Sequence, residues 1–343
     1  KQMAKLGDIA TYINEYPFKP NDWSDTGLPI IRIQDLTGNS YQANRYKGEY
    51  QPKYEVNAGD VLISWSASLG VYIWQGEKAL LNQHIFKVVF NKEAVSKDFF
   101  VFQVEQILKK AAQDVHGATM KHLTKPVFDA LPFYLPSYEE QCNIANKLKY
   151  VRSIIEQRQE QLTKLDELIK ARFVEMFGTY PANEMGWCTG TIRDVISEAR
   201  YGSSRPAVEG GQYPYLRMNN ITYDGELDLS DIKRIDVPDS ELEKCTVRQG
   251  DVLFNRTNSR ELVGKTCVYN RDEMMILAGF VIRIRVNSRV LPAFLSSFMN
   301  TDFSKQMLLG MCRTAVGQAN INAKELQDIG LYIPPIDLQQ EFI

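Results

Sequence analysis

The chain repeats itself, and a repeat restricts the architecture more than any single motif, because both copies must build the same kind of core. Lys5-Leu6-Gly7-Asp8-Ile9 matches Thr191-Ile192-Arg193-Asp194-Val195, about 186 residues later. Leu28-Pro29-Ile30-Ile31-Arg32-Ile33-Gln34-Asp35-Leu36-Thr37 matches Tyr213-Pro214-Tyr215-Leu216-Arg217-Met218-Asn219-Asn220-Ile221-Thr222. Val56-Asn57-Ala58-Gly59-Asp60-Val61-Leu62-Ile63 matches Val247-Arg248-Gln249-Gly250-Asp251-Val252-Leu253-Phe254, and the strand-like run from Leu80 to Val88 matches Ile276 to Ile284. Between those last two blocks the offset grows from 191 to 196. The second copy therefore carries five extra residues after its Gly-Asp turn, where a surface loop absorbs them. Leu131-Pro132-Phe133-Tyr134-Leu135-Pro136, followed by Gln141 and Ile144, matches Ile329-Gly330-Leu331-Tyr332-Ile333-Pro334, followed by Gln340 and Ile343. Each copy thus ends in a strand, a proline and the start of a helix.

Between the copies, from Glu139 to about Phe177, proline and glycine vanish. Pro136-Ser137 before the stretch, Glu139 and Glu140 in its first turn and Gly178 after it predict one long helix. Apolar residues fall at Ile144, Leu148, Val151, Ile155, Leu162, Leu165, Ile169, Phe173 and Met176, with Arg158 interrupting a four-three spacing. That is a coiled-coil seam, and about 38 residues at about 1.5 Å each make a rod of roughly 55 to 60 Å. A seam needs a facing seam, either the same helix of another subunit or a partner helix that a longer second copy carries. The expected division is 1–136 for the first domain, 137–178 for the helical spacer, 179–335 for the second domain, and 336–343 for the start of a second, shortened helix. The expected class is α/β, in the mixed α+β sense: two similar domains of short strands and a few helices, joined by the coiled-coil-type helix.

Composition excludes several functions. At 343 residues with 44% hydrophobic and 24% charged side chains, the chain suits two soluble globular domains rather than disorder. No run approaches the roughly 20 apolar residues of a membrane span, and Lys1-Gln2-Met3-Ala4-Lys5 does not lead into an apolar signal core. The expected compartment is the cytoplasm, with no membrane partner. Five scattered cysteines and three histidines argue against a zinc site or a disulfide framework. With 40 basic and 42 acidic side chains the net charge is −2, so any case for a nucleic-acid partner must be local.

Catalytic constellations are missing. Val263-Gly264-Lys265-Thr266 ends like a phosphate-binding loop, but Ser259 stands where that loop needs glycine. There is no GxSxG, HExxH or glycine-rich cofactor turn. The carboxylates from Asp228 to Glu243 read as a solvated acidic loop. No catalytic residue and no metal ligand is expected.

What the sequence does offer is side chains suited to base edges. After the shared Gly-Asp turn the second copy reads Phe254-Asn255-Arg256-Thr257-Asn258-Ser259-Arg260, where the first reads Ile63-Ser64-Trp65-Ser66-Ala67-Ser68-Leu69. Arginine suits guanine, asparagine and glutamine suit adenine, and serine or threonine serves either. Candidates are therefore Asn255, Arg256, Asn258 and Arg260 in the second copy, with Trp65, Ser66 and Ser68 in the first; Arg256 and Arg260 can equally be solvated charges, and Trp65 can pack instead. Ser204 and Arg205, in Tyr201-Gly202-Ser203-Ser204-Arg205, suit phosphate contact. Asn219 lies in a repeated block. Gln318 and Asn320 follow Gly317, and Lys121 and His122 hold that place in the first copy. Arg32 and Arg217 recur on matching strands, which fits a structural ion pair as well as a DNA contact.

This combination resembles the specificity (S) subunit of type I restriction-modification enzymes. The runs Gly59 to Val71 and Gly250 to Lys265 look like two target-recognition domain types of that family, and Leu135-Pro136 to Gln141 looks like its lead into the first conserved helix. The resemblance implies that each target-recognition domain reads one half of a split double-stranded DNA target in the major groove, and that the helix sets the gap. It also implies docking of methyltransferase (M) subunits and association with restriction (R) subunits, and it leaves room for self-association through the central helix. S-adenosylmethionine, ATP and Mg then belong to the partners, and this chain binds no cofactor and performs no catalysis. The end of the second copy at Ile343 departs from the family pattern. A nuclease with a dispersed site and a protein-binding scaffold are the competing readings.

Overall fold

A computed structural model describes residues 2–14, 18–38, 44–66, 68–114, 124–312 and 319–343. The chain forms two compact units, Lys1–Arg158 and Gln159–Ile343. The expected helix is a single element, Tyr138–Phe177, whose two portions belong to different units. Ser137 Oγ accepts from Glu140 N at 3.2 Å at its start, and Gly178, at φ +80°, follows its last turn.

Each unit is built on the same three ladders. In the first, an antiparallel sheet runs Thr11–Asn14, Ile85–Val89, Val61–Ser64, Gly70–Ile73; a mixed sheet runs Arg45–Tyr46, Leu28–Ile31, Ala79–Leu81, Glu55–Val56; and Gln2–Lys5 pairs with Pro132–Leu135. In the second, the corresponding sheets run Ile196–Tyr201, Val281–Val286, Val252–Asn255, Thr266–Val268 and Lys233–Ile235, Tyr213–Leu216, Met275–Leu277, Thr246–Val247, with Cys188–Thr191 pairing Gly330–Ile333. In the matched blocks the registers coincide with the sequence repeat, while the edge strand Ile196–Tyr201 carries a bulge between Ile196 and Glu198 where Thr11–Asn14 pairs in unbroken register. Ile30 faces Leu80 in parallel as Tyr215 faces Ile276, Val61 faces Val88 as Val252 faces Ile284, and Gln2 faces Leu135 as Cys188 faces Ile333. In the second unit Thr257–Asn258 also pairs with Ala319–Asn320. That unit replaces the helix Lys97–Asp114 by two, Pro292–Asn300 and Asp302–Met311, with Thr301 capping the second.

The repeated motifs are the turns that satisfy backbone groups. Asp8 and Asp194 accept from Lys5 N at 3.4 Å and Thr191 N at 2.7 Å; Asp35 and Asn220 accept from Arg32 N at 2.7 Å and Arg217 N at 2.9 Å. Gly59 and Gly250 take φ near +89° and +87°, which suits glycine, and let Asp60 and Asp251 accept from Asn57 N and Arg248 N. The same two carboxylates face a basic side chain on the neighbouring strand, Lys87 at 3.0 Å in one unit and Arg283 at 3.9 Å in the other. Each of these cations also donates to an equivalent backbone carbonyl, that of Glu55 or of Thr246.

The helix-start match needs a correction of one residue. Gln141 is buried and donates to the carbonyls of Ala94 and Pro136 while accepting from Ser96 N at 2.9 Å. Its counterpart is Gln339, not Gln340: Gln339 is buried, donates to Arg289 and Pro334, and accepts from Leu291 N at 2.8 Å. Ile144 accordingly corresponds to Phe342, whose ring packs on Phe173 and Phe177.

The ends of the long helix join the two cores, through Ile144 and Ala145 in the first and Phe173 and Phe177 in the second. Between them Leu148, Val151, Ile155, Leu162, Leu165 and Ile169 are exposed. Among the described residues no helix is long and apolar enough to cross a membrane.

Candidate nucleic-acid interface

The two candidate loops start from one scaffold position. Trp65 N donates to His84 O at 3.2 Å, and Arg256 N donates to Phe280 O at 3.0 Å. The first loop covers 65–69, between the strands that pair Ser64 with Gly70; the second covers 256–264, closed by Asn255 and Lys265. Four of the five extra residues of the second copy therefore lengthen this loop.

Their contents behave differently. Trp65 stacks on Phe86, with ring centres 5.7 Å apart and planes at 22°, and meets His84 edge-on at 4.9 Å, so it packs into the core surface. Ser66 is buried and Ser68 is exposed. In the second unit Asn255 is fully buried in a strand with both faces covered, so its amide is not presented at the surface. Asn258 and Asn320 lie on the ladder of Thr257–Asn258 with Ala319–Asn320; Thr257 Oγ1 donates to Asn320 Oδ1 at 3.0 Å, and Asn258 Oδ1 accepts from Ser259 N at 2.9 Å. Lys121, His122 and Gln318 lie outside the described residues.

Four candidates meet in one cavity of about 520 Å³ in the second unit: Ser204, Arg205, Asn219 and Arg256. Arg217, Tyr215 and Phe280 share its wall. Ser204, Arg205 and Asn219 are exposed. Among the described residues three guanidinium groups line this cavity and no carboxylate does. Two are neutralised from outside the wall: Arg205 binds Glu241 in a fork, at 2.8 and 3.3 Å, and Arg217 reaches Asp231 at 2.9 Å. Hydrogen bonds from these arginines hold the carboxyls of Glu241 and Asp231 below the usual carboxylate range. Arg217 thus makes an ion pair, one of the two roles open to it from the sequence, and Arg32 likewise reaches Asp35 at 3.4 Å. Arg256 instead lies over the Tyr201 ring, 4.8 Å from its centre.

Arg260 sits apart, exposed, in a separate depression with Tyr223 and Lys305. Lys305 donates to Gly264 O at 3.2 Å and lies 4.9 Å from the Tyr223 ring centre. Burial, reinforced by Lys170, pushes its ammonium down to about 8. Sequence reasoning missed Phe280 and Tyr201 as site residues; the signal for Phe280 was its place in the repeat, aligned with His84 beside Trp65.

This duplicated scaffold, with polar loops varied on a constant frame, is that of a DNA specificity module. Residues 1–164 and 185–343 match the type I restriction modification DNA specificity domain, and the chain belongs to that family. It is similar to the type I restriction enzyme EcoBI specificity subunit of Escherichia coli, 23% identical with 98% of this chain and 77% of the relative covered. It is also similar to the type I restriction enzyme EcoKI specificity subunit of Escherichia coli strain K12, 21% identical with 99% and 80% covered. Among solved structures, it shares its fold with the type I restriction-modification system S subunit from M. genitalium, at a TM-score of 0.50 and 13% identity, covering 99% of this chain and 87% of that one. A chain from a structure concerned with complex assembly and conformational transition of the type I R-M system gives a TM-score of 0.53 at 17% identity, with the same coverage.

Proposed function

We propose that this chain is a sequence-specific DNA recognition subunit of a type I restriction-modification complex, in which each unit reads one half of a bipartite target in the major groove. The observation that carries the reading is the cavity of the second unit, where Arg256, an amide and a hydroxyl share one wall on which, among the described residues, no carboxylate lies. With Arg205 and Arg217 paired to Glu241 and Asp231, Arg256 supplies the wall's cation, and the amide and hydroxyl add donors of the kind that base-edge recognition uses. The long helix fixes the unspecified gap between half-sites. Its uncovered seam from Leu148 to Ile169 suits a helix of the same four-three spacing, as a second copy of this chain offers, and its remaining surface docks methyltransferase subunits. Chemistry comes from the partners: methyltransferase subunits bring S-adenosylmethionine, and restriction subunits bring ATP and Mg. The complex works on DNA in the cytoplasm.

Mapping methylated adenines across the host genome tests this reading. The expected pattern is two short specified blocks at a fixed separation, lost when the gene for this chain is deleted. A continuous motif, or a pattern indifferent to the deletion, overturns it. Cleavage of DNA by the purified chain with a divalent metal would instead make it a nuclease.

A further inference from the structure

Arg256 differs from the other arginines of the cavity in being rigidly held yet without a carboxylate partner among the described residues. Its backbone is fixed on both sides, donating to Phe280 O at 3.0 Å and accepting from Ile321 N at 2.9 Å. Its guanidinium is oriented by the Tyr201 ring, and Tyr201 Oη is itself anchored by Ala323 N at 2.8 Å. Nη1 reaches only Gly279 O, at 3.5 Å, and Nε is buried with no hydrogen-bond partner among the described residues. A desolvated N–H without an acceptor is unfavourable, and a planar fork pre-oriented in this way suits a ligand that brings paired acceptors. On DNA those are O6 and N7 of guanine or the oxygens of a phosphate.

The neighbouring side chain separates the two. Phe280 is 54% exposed on the same wall. A phenyl ring gains nothing against a phosphate but packs well against the methyl group that thymine displays in the major groove. We propose that Arg256 reads a guanine in the half-site of the second unit through O6 and N7, and that Phe280 packs on the methyl group of a thymine beside it. This rests on the DNA-recognition reading above and assigns the bases for one of its contacts. The equivalent places in the first unit hold Trp65, packed on Phe86, and His84, so the first half-site is read without this guanidinium.

The test is binding of the full chain to duplexes that it selects from a random library, with each guanine replaced in turn by 7-deazaguanine and each thymine by deoxyuridine. One guanine, in one half-site, should weaken binding about 10-fold when its N7 is removed. Arg256→Ala should bind more weakly and be indifferent to that replacement. Arg256→Lys, which keeps the charge but not the fork, should also lose the N7 dependence. A neighbouring thymine should show a smaller methyl dependence that Phe280→Ala abolishes. If both Arg256 variants weaken all duplexes alike and the N7 dependence survives in them, Arg256 contacts phosphate and the proposal fails by itself. A wild-type chain that selects no sequence overturns the recognition reading along with it.

Discussion

One structural position, the cation opposite the Gly-Asp turn, is occupied by Lys87 in the first unit and by Arg283 in the second, and the surroundings have diverged to match. Lys87 and Asp60 form a partly exposed pair, with side chains 15% and 28% accessible. Arg283 is almost wholly buried, 3.9 Å from Asp251, and is further paired with Glu198 at 2.6 Å, while Arg285 holds Asp251 at 2.8 Å. The frame is therefore retained by geometry while its electrostatic load differs between the copies. The readout loops show the same division: an identical backbone bond anchors Trp65 and Arg256, yet one side chain packs inward and the other faces a cavity. What the copies share serves folding, and they differ both in the buried charges behind the turn and in the loops at the candidate interface.

That contrast can be broken most directly at the turn. Asp251→Ala removes a buried carboxylate that accepts from Arg285, faces Arg283 at 3.9 Å and caps Arg248 N, and should destabilise the second unit by about 4 kcal/mol, whereas Asp60→Ala should destabilise the first by about 1 kcal/mol. Hydrogen exchange followed separately in the two units measures both, and equal losses would show that the copies carry the same load.

A second asymmetry belongs to Lys305. Below about pH 8 both folded and unfolded chains carry its proton, and the folded state bears the burial penalty. Between about 8 and 10.5 the unfolded chain binds the proton more, so stability conferred by this group rises with pH. Lys305→Met should thus be more stable than the parent at pH 7, with an advantage that shrinks by up to about 3 kcal/mol towards pH 10.5. Denaturant melts of both proteins at several pH values give the difference, and a constant offset would contradict the assignment.

The glutamine clamps sharpen the comparison from the opposite side, because here the units should agree. Gln141→Leu and Gln339→Leu each leave a backbone N–H without its acceptor and should each cost about 2 kcal/mol, seen as matched shifts in unfolding midpoint. Smallest of all is the seam: Leu165→Lys, at an exposed position, should change stability by less than about 0.5 kcal/mol while abolishing any association through the helix in sedimentation velocity.

Much of the frame was legible because a repeat marks its own constraints. Asp8, Gly59 and Asp60 have counterparts in Asp194, Gly250 and Asp251 since each closes a turn that both copies need, and aligning the copies gives the equivalent positions, though not which strands pair. Gln339 and Gln340 are adjacent, and the five-residue spacing from the matched proline selects Gln339, as its burial and clamp then bear out. The burial of Asn255 is not legible in the sequence for a physical reason: its strand is covered on both faces, so alternation gives no sign of which polar side chain points inward. The cavity was illegible as a unit, because Ser204, Asn219 and Arg256 are separated in sequence and brought together by pairing of Tyr213–Leu216 with Met275–Leu277. Arg205 was legible as a cation, but Glu241, its partner, lies in a helix that sequence alone left as a solvated acidic loop.

The central claim is that two copies of one frame read separate half-sites through loops of independent content. It is tested by replacing residues 256–264 with the 65–69 loop of the first copy and selecting bound duplexes from a random library with the assembled complex. The account predicts that one specified block changes, while the other block and the gap between them stay as they were. Simultaneous change in both blocks would contradict it.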